Sequence, residues 1–258
     1  MTSVQDHMTG NPVSVTTEES LSKARSLLRK HGYRALPVLD AKTRKLAGII
    51  SRSDVLKVTS RKTNLQVKGL MHANVLTASP NDDLLKTAKM LVSSGVRQVP
   101  VVDGSRNLVG ILSSLDLLGA FISNRLSPTK KRVKDVMSVD VVSCSPDDSV
   151  ASVWERMHSS GYGGMPVVEK NRVVGIITRM DLLTHSSASP RKESGKNKHV
   201  SVRKVMQPRV VTVYPSEDTQ AVAELMRSGR IIRIPVVETG MKLAGIVDIQ
   251  DVLRAYLP

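Results

Sequence analysis

A fourfold internal repeat limits what this chain can fold into more than any other feature. Four heptapeptides share one pattern: Gly48-Ile49-Ile50-Ser51-Arg52-Ser53-Asp54, Gly110-Ile111-Leu112-Ser113-Ser114-Leu115-Asp116, Gly175-Ile176-Ile177-Thr178-Arg179-Met180-Asp181 and Gly245-Ile246-Val247-Asp248-Ile249-Gln250-Asp251. Each opens on glycine, passes through two apolar residues of strand type, reaches a polar side chain and ends on aspartate. Apolar residues follow, so the pattern describes a buried strand end turning into a helix whose first turn carries the aspartate. Other anchors keep the same register. A Val-x-x-x-Met pattern precedes each copy, at Val4–Met8, Val67–Met71, Val133–Met137 and Val202–Met206. A proline follows each methionine by 29 residues (Pro37, Pro100, Pro166, Pro235) and opens a hydrophobic strand. A period of 62 to 70 residues therefore sets the architecture.

Within a copy the order of elements is legible. Short strands are expected at Val13-Ser14-Val15, Val75-Leu76-Thr77, Val141-Val142-Ser143 and Val210-Val211-Thr212. Acidic residues such as Asp82-Asp83, Asp147-Asp148 and Glu217-Asp218 then mark helix N-termini, where they offset the helix dipole. Leu21, Ala24, Leu27 and Leu28 make one apolar helical face, and Val150, Val153, Trp154 and Met157 another. Gly32, Gly95 and Gly161 end these helices, whereas the fourth copy has Arg230 in that register and a different helix end is expected. A hairpin and the aspartate-bearing helix complete the unit. The fold class is α/β (α+β), with four β-α-β-β-α repeats at 1–60, 65–124, 131–187 and 200–258. A unit of this size buries only about 60% of its unfolded surface and needs a partner. Copies one and two are expected to form one module, three and four another.

Charge is unevenly placed. Lys and Arg number 38 against 23 Asp and Glu, a formal net charge of +15, which favours anionic partners. Residues 57–68 and 117–134 are basic without an acid, and the second stretch reads as the boundary between modules. His185 to Val200 is polar, Ser-rich and basic, and is expected to be a mobile loop. One cysteine, Cys144, permits no internal disulfide, in keeping with a reducing, cytoplasmic setting. The start of the chain lacks the pattern of a secretory signal, and no apolar run approaches the roughly 20 residues of a membrane span.

Taken together, the repeated Val-x-x-x-Met, Pro-Val-Val and Gly-h-h-Ser/Thr-x-x-Asp elements resemble the CBS (cystathionine β-synthase) domain family over nearly the whole chain. The resemblance implies two paired Bateman modules, an arrangement similar to the nucleotide-sensing γ subunit of AMP-activated kinase. It implies clefts that bind AMP, ADP, ATP or S-adenosylmethionine, with no catalytic cofactor and no metal. Carried over by motif, Asp54, Asp116, Asp181 and Asp251 take the ribose hydroxyls, and Ser51, Ser113 and Thr178 approach the phosphate, with Ser53 beside the first aspartate. Arg34 and Arg97, three residues ahead of Pro37 and Pro100, are the implied phosphate-binding arginines. The fourth copy has Arg233 two residues ahead of Pro235, and the third has only Gly163 and Gly164 there. Asp248 replaces the hydroxyl in the fourth copy and is expected to repel phosphate. Copies one and two thus look suited to phosphorylated ligands, and the second module to S-adenosylmethionine, methylthioadenosine or nothing.

Plainer readings compete with these. Helix capping alone selects aspartate at such positions, and Arg34 and Arg97 read equally as solvated loop cations. Met8, Met71, Met137 and Met206 read as structural, packing at the module seam. No phosphate loop of the GxxxxGK[ST] type, no Cys/His cluster with metal spacing and no nucleophile–base pair is present, so an enzyme is not expected. The implied partners are an adenosyl ligand, a regulated protein the residues do not name, and a second copy pairing through its modules. The rival reading is a binder of nucleic acid or of an acidic protein acting through the basic linkers. It is weakened by scarce aromatics, since only Phe121 and Tyr256 lie near the charge.

Overall fold

Helical periodicity and hairpin spacing become the same helix–hairpin–helix body in every repeat. The computed structural model describes residues 2–58, 64–185 and 200–258. The expected mobile loop lies, but for its two end residues, outside the described residues, as do residues 59–63 of the first basic stretch. The first repeat runs β1 (Thr9–Gly10), β2 (Val15–Thr16), α1 (Leu21–His31), β3 (Ala35–Leu39), β4 (Leu46–Ser51) and α2 (Arg52–Lys57). The second holds α3 (Leu84–Ser94), β5 (Gln98–Val102), β6 (Leu108–Ser113) and α4 (Ser114–Ser123). The third holds α5 (Val150–Ser159), β7 (Gly164–Glu169), β8 (Arg172–Thr178) and α6 (Arg179–Thr184). The fourth holds α7 (Thr219–Gly229), β9 (Arg233–Glu238), β10 (Lys242–Asp248) and α8 (Ile249–Tyr256). Every motif glycine lies on the second strand of an antiparallel hairpin, and every motif aspartate is the third residue of the helix that follows. No described helix is long and apolar enough to cross a membrane.

The strand expected at the start of each repeat is shorter than its sequence suggests and lies further along the chain. It is two residues in the first repeat and a single parallel bridge in the others, at Ala78, Cys144 and Val213. Those three residues and Val15 are buried, whereas Leu76, Val142 and Val211 are exposed. The reason is topological, because the chain changes compact unit at these points. One unit consists of Met1–Pro12, Val75–Val141 and Val211–Pro258, the other of Val13–Asn74 and Val142–Val210.

Each unit therefore holds the bodies of alternate repeats, second with fourth and first with third, and the arms of their neighbours. In the second–fourth unit Val4 and Val133 enter one core with Leu91, Leu118, Val222 and Leu253. In the first–third unit Val67 and Val202 are fully buried in the same way. Every arm begins with a short 3-10 turn led by that valine, and the methionine N–H closes on the valine carbonyl at 2.8–3.0 Å. The arm also supplies an acceptor for the first helical N–H of the body it joins, which has no partner within its own helix. Leu84 N–H donates to Thr2 O, Leu21 to Leu65 O, Thr219 to Lys131 O and Val150 to Val200 O, at 2.9–3.2 Å. Adjacent repeats are thus partnered, as expected, through exchanged arms, while the compact cores join alternate ones.

The stretch 117–134, expected to separate modules, lies inside the second–fourth unit. Thr129 N–H donates to the Ala255 carbonyl at 2.7 Å, and Pro128 is buried. The fourth repeat's first helix ends as those of the first two repeats do, whereas α5 of the third stops at Ser159 with Ser160 in a right-handed cap. Arg230 adopts the left-handed conformation (φ 51°) that Gly32 and Gly95 adopt, so the expected difference lies in the residue and not in the geometry.

Candidate functional site

A reciprocal cap fixes each motif aspartate. Ser51, Ser113 and Thr178 stand at the N-cap, and their hydroxyls donate to the aspartate Oδ2 at 2.6 Å. The backbone N–H of the same residue donates to that oxygen at 2.7–2.9 Å. In the fourth repeat Asp248 is the cap, and its N–H donates to Asp251 Oδ2 at 3.0 Å. The cap thus consumes one carboxylate oxygen and aims the other, a local consequence of Ser/Thr/Asp followed by Asp three residues later. The cap leaves the second oxygen of each aspartate outside its own bonds, but it already uses the hydroxyl donors of Ser51, Ser113 and Thr178.

What meets the second oxygen differs between repeats. Asp54 Oδ1 faces His72 Nε2 at 3.0 Å and Lys57 Nζ at 3.1 Å. Burial raises its proton affinity, but the Ser51 hydrogen bonds, Lys57 and His72 outweigh it and hold the carboxyl below its usual range. Asp181 Oδ1 accepts from Gln207 Nε2 at 2.8 Å. Asp251 Oδ1 meets Arg254 at 3.3 Å, yet burial and the neighbouring Asp248 charge push its carboxyl above the usual range. Asp116 Oδ1 has no hydrogen-bond or ion-pair partner among the described residues. Ser53, in the first turn of α2, likewise makes no side-chain hydrogen bond among them.

His72 and Gln207 were absent from the sequence-based set of site residues. Each follows the methionine of an arm, and that column reads Thr9, His72, Ser138 and Gln207, polar in all four copies. The arm brings it alongside the motif strand: Thr9 pairs with Ile111, His72 with Ile49, Ser138 with Ile246 and Gln207 with Ile176. The methionine ahead of it lies on the motif glycine. A Cβ at Gly48 would stand 2.7 Å from the His72 carbonyl oxygen and 3.0 Å from Met71 Sδ, and one at Gly110 2.3 Å from Met8 Sδ. The seam role expected for the methionines is visible in these contacts.

The arginines separate by unit. The carbonyls of Arg34 and Arg97 both accept the first N–H of the motif helix, from Arg52 and Ser114, at 2.9 Å. The Arg97 side chain pairs with Asp248 (Nη2–Oδ2 2.9 Å), and Arg233 joins it on the same oxygen at 2.7 Å. Asp248 is therefore bracketed by two guanidiniums. Burial raises its proton affinity, and Arg233 and Arg97 overcome that, so the carboxyl stays below its usual range. In the other unit Arg52 donates to the Tyr33 carbonyl at 2.7 Å and also to that of Gly32; burial lowers its affinity for its proton, and Asp181 partly restores it. Arg34, Ser51, Ser53, Asp54, Thr178 and Asp181 thus lie in the first–third unit, and Arg97, Ser113, Asp116, Arg233 and Asp251 in the second–fourth.

Two other groups are unsuited to chemistry or recognition at a surface. Cys144 is buried, and desolvation pushes its thiol up to about 12, so it remains a protonated core residue. Phe121 and Tyr256, the aromatics nearest the basic stretches, are buried against each other with ring centroids 5.7 Å apart, so neither offers a face for base stacking.

Comparison with known proteins agrees with the repeat. The CBS domain model matches residues 4–61, 67–123, 133–188 and 202–258. In sequence the chain is similar to the uncharacterized protein MJ1225 of Methanocaldococcus jannaschii, 25% identical over 267 residues that cover 95% of each chain. The crystal structure of that protein, described as a candidate archaeal homologue of g-AMPK, superposes with a TM-score of 0.87 at 23% identity, covering 98% of this chain and 99% of that one. An uncharacterized conserved protein from Pyrococcus horikoshii gives a TM-score of 0.68 at 24% identity over 98% of this chain and 99% of its own. Four matched segments, four capped aspartates and four exchanged arms agree on one conclusion: the chain belongs to the CBS domain family and carries four CBS domains in tandem.

Proposed function

We propose that this chain is a non-enzymatic sensor that binds adenosine-containing ligands (AMP, ADP, ATP or S-adenosylmethionine) at its motif aspartates and passes the resulting change to a partner protein. The observation that carries the reading is Asp116. The residue is half-buried, its Oδ2 is locked by Ser113, and its Oδ1 is without a protein partner among the described residues. A carboxylate oxygen held in this way accepts the hydroxyl donors of a ribose without reorganising, and charge-assisted hydrogen bonds of this type are the stronger kind. Asp54 and Asp181 make the same cap, but a ligand there has to displace His72 with Lys57, or Gln207. The ranking of sites is therefore Asp116 first, then Asp54 and Asp181, with Asp251 last, since its carboxyl is the one that burial and Asp248 push toward protonation.

Transmission to a partner requires that the ligand bind two shapes of the protein unequally, and couplings of this kind are typically about 1–3 kcal/mol. The rival reading of a nucleic-acid binder is disfavoured by the burial of Phe121 and Tyr256. Isothermal titration with AMP tests the proposal. The chain is expected to bind AMP, and Asp116→Ala to lose affinity about 10- to 100-fold, as removal of hydrogen bonds to a charged group predicts. Equal AMP affinity for Asp116→Ala and the parent chain would refute the role of this aspartate.

A further inference from the structure

Among the four motif positions, only Asp248 is a carboxylate where the others carry a hydroxyl. Helix capping does not require the change, because Ser51, Ser113 and Thr178 cap the same turn with the same geometry. What the carboxylate adds is a hold on two arginines. Asp248 Oδ2 takes Arg97 Nη2 at 2.9 Å and Arg233 Nη2 at 2.7 Å, and Oδ1 takes Arg97 Nε at 3.4 Å and the Gln250 N–H at 3.1 Å. Arg97 comes from the second repeat, 151 positions away in the chain. Its backbone is fixed to the start of α4, since Ser114 N–H and Oγ both donate to the Arg97 carbonyl, at 2.9 and 3.2 Å. Asp116 stands on that same first turn. Arg97, whose backbone is tied to the turn that carries Asp116, thus already pairs through its side chain with a resident anion from the fourth repeat.

We propose that Asp248 is the specificity-determining residue of the second–fourth unit. It competes with a ligand's phosphate for Arg97, so this unit favours an adenosine-type ligand without a dianionic phosphate. The inference rests on the reading of Asp116 as a ribose contact, and it reverses the expectation that the second repeat is built for phosphate. Two anions contend for one guanidinium. With Asp248 in place the cluster of Arg97, Asp248 and Arg233 carries a formal +1, and without it +2. Discrimination by an occupied charge acts against one ligand class and leaves the other untouched. Arg97 is the member able to leave, because its side chain is 25% exposed against 10% for Arg233.

The experiment compares AMP with adenosine by isothermal titration at the site that Asp116→Ala removes. In the full chain AMP and adenosine are expected to bind there within about threefold of each other. Asp248→Ser, which restores the cap residue of the first two repeats, is expected to tighten AMP at least tenfold with adenosine unchanged. Arg97→Ala in that background is expected to return AMP to the adenosine value. Asp248→Asn removes the charge while keeping size and one acceptor oxygen, and is expected to match the serine variant if folding is intact by thermal melt. An AMP-to-adenosine ratio that stays put in both variants, with binding preserved, overturns the role of Asp248 and leaves the nucleotide reading standing. Absence of AMP and adenosine binding in every variant overturns both.

Discussion

Gly175 is glycine because a carbonyl passes where its side chain would be. A Cβ there would stand 2.7 Å from the Gln207 carbonyl oxygen and 3.1 Å from Met206 Sδ. Gly48 meets the His72 carbonyl at the same distance. Gly110 differs, since the atom it would strike first, at 2.3 Å, is the sulfur of a flexible methionine. These glycines are thus set by close approach of the arm and not by backbone conformation. Overpacking of a closely fitted site typically costs about 1–3 kcal/mol. Gly175→Ala is accordingly expected to lower stability by that amount, with Gly110→Ala at the lower end because Met8 can swing aside. Urea denaturation measures both; a Gly175→Ala midpoint equal to that of the parent chain would contradict the packing argument. At this scale much of the candidate site's geometry was legible, because caps and motif aspartates are local. The Arg97–Asp248 pair was not, since nothing in a local window links residues 151 positions apart. His72 and Gln207 did leave a signal, a polar column after each methionine, which becomes meaningful only once the arm is known to cross the motif strand.

Among the elements, α7 shows how a repeat tolerates an exception. Helices α1 and α3 end on glycines with φ near +68°, a conformation that costs an L-residue roughly 1–2 kcal/mol. α7 reaches the same conformation with Arg230, while Gly229, one residue earlier, is hemmed in by the Ile231 side chain at 2.9 Å. The Ile231 N–H still closes the helix on the Met226 carbonyl at 2.9 Å, so the surrounding bonds impose the turn on a residue ill suited to it. Arg230→Gly is therefore expected to stabilise the second–fourth unit by about 0.5–1 kcal/mol, the left-handed strain relieved less the added freedom of glycine in the unfolded chain. A raised urea midpoint in circular dichroism checks this, and a lowered one would mean that the Arg230 side chain contributes more than its backbone costs. Sequence periodicity placed this helix, yet it implied a different end, because register marks where a cap falls but not whether tertiary bonds force it. Apolar runs such as Val141-Val142 misled for a related reason. Strand-like composition there belongs to the points where the chain changes unit, and the residue that pairs is the buried one after them, Cys144.

For the whole molecule, the exchanged arms are the feature that repeat counting does not reveal. Period and pattern establish four alike units and a need for partners, but identical local patterns fit either an arm folded onto its own repeat or one passed to a neighbour. The burial of Val4 decides between them. Val4 is fully buried in the core that contains Leu84, Leu91 and Leu112 of the second repeat, and its N–H donates to the Asp82 carbonyl at 3.0 Å. The body of its own repeat belongs to the other compact unit. Truncating a buried valine to alanine removes two methyl groups, and transfer and cavity terms together make this worth about 1–3 kcal/mol. Amide exchange through opening of the affected unit should then accelerate roughly 5- to 150-fold. Val4→Ala is expected to produce that acceleration in α3 and β6, in the second repeat, and to leave α1 and β3 of the first repeat at their parent rates. The reverse distribution, with loss of protection in α1 and β3, is what an arm folded onto its own repeat would give, and hydrogen-exchange mass spectrometry resolves the two because the four elements fall in separate stretches of chain.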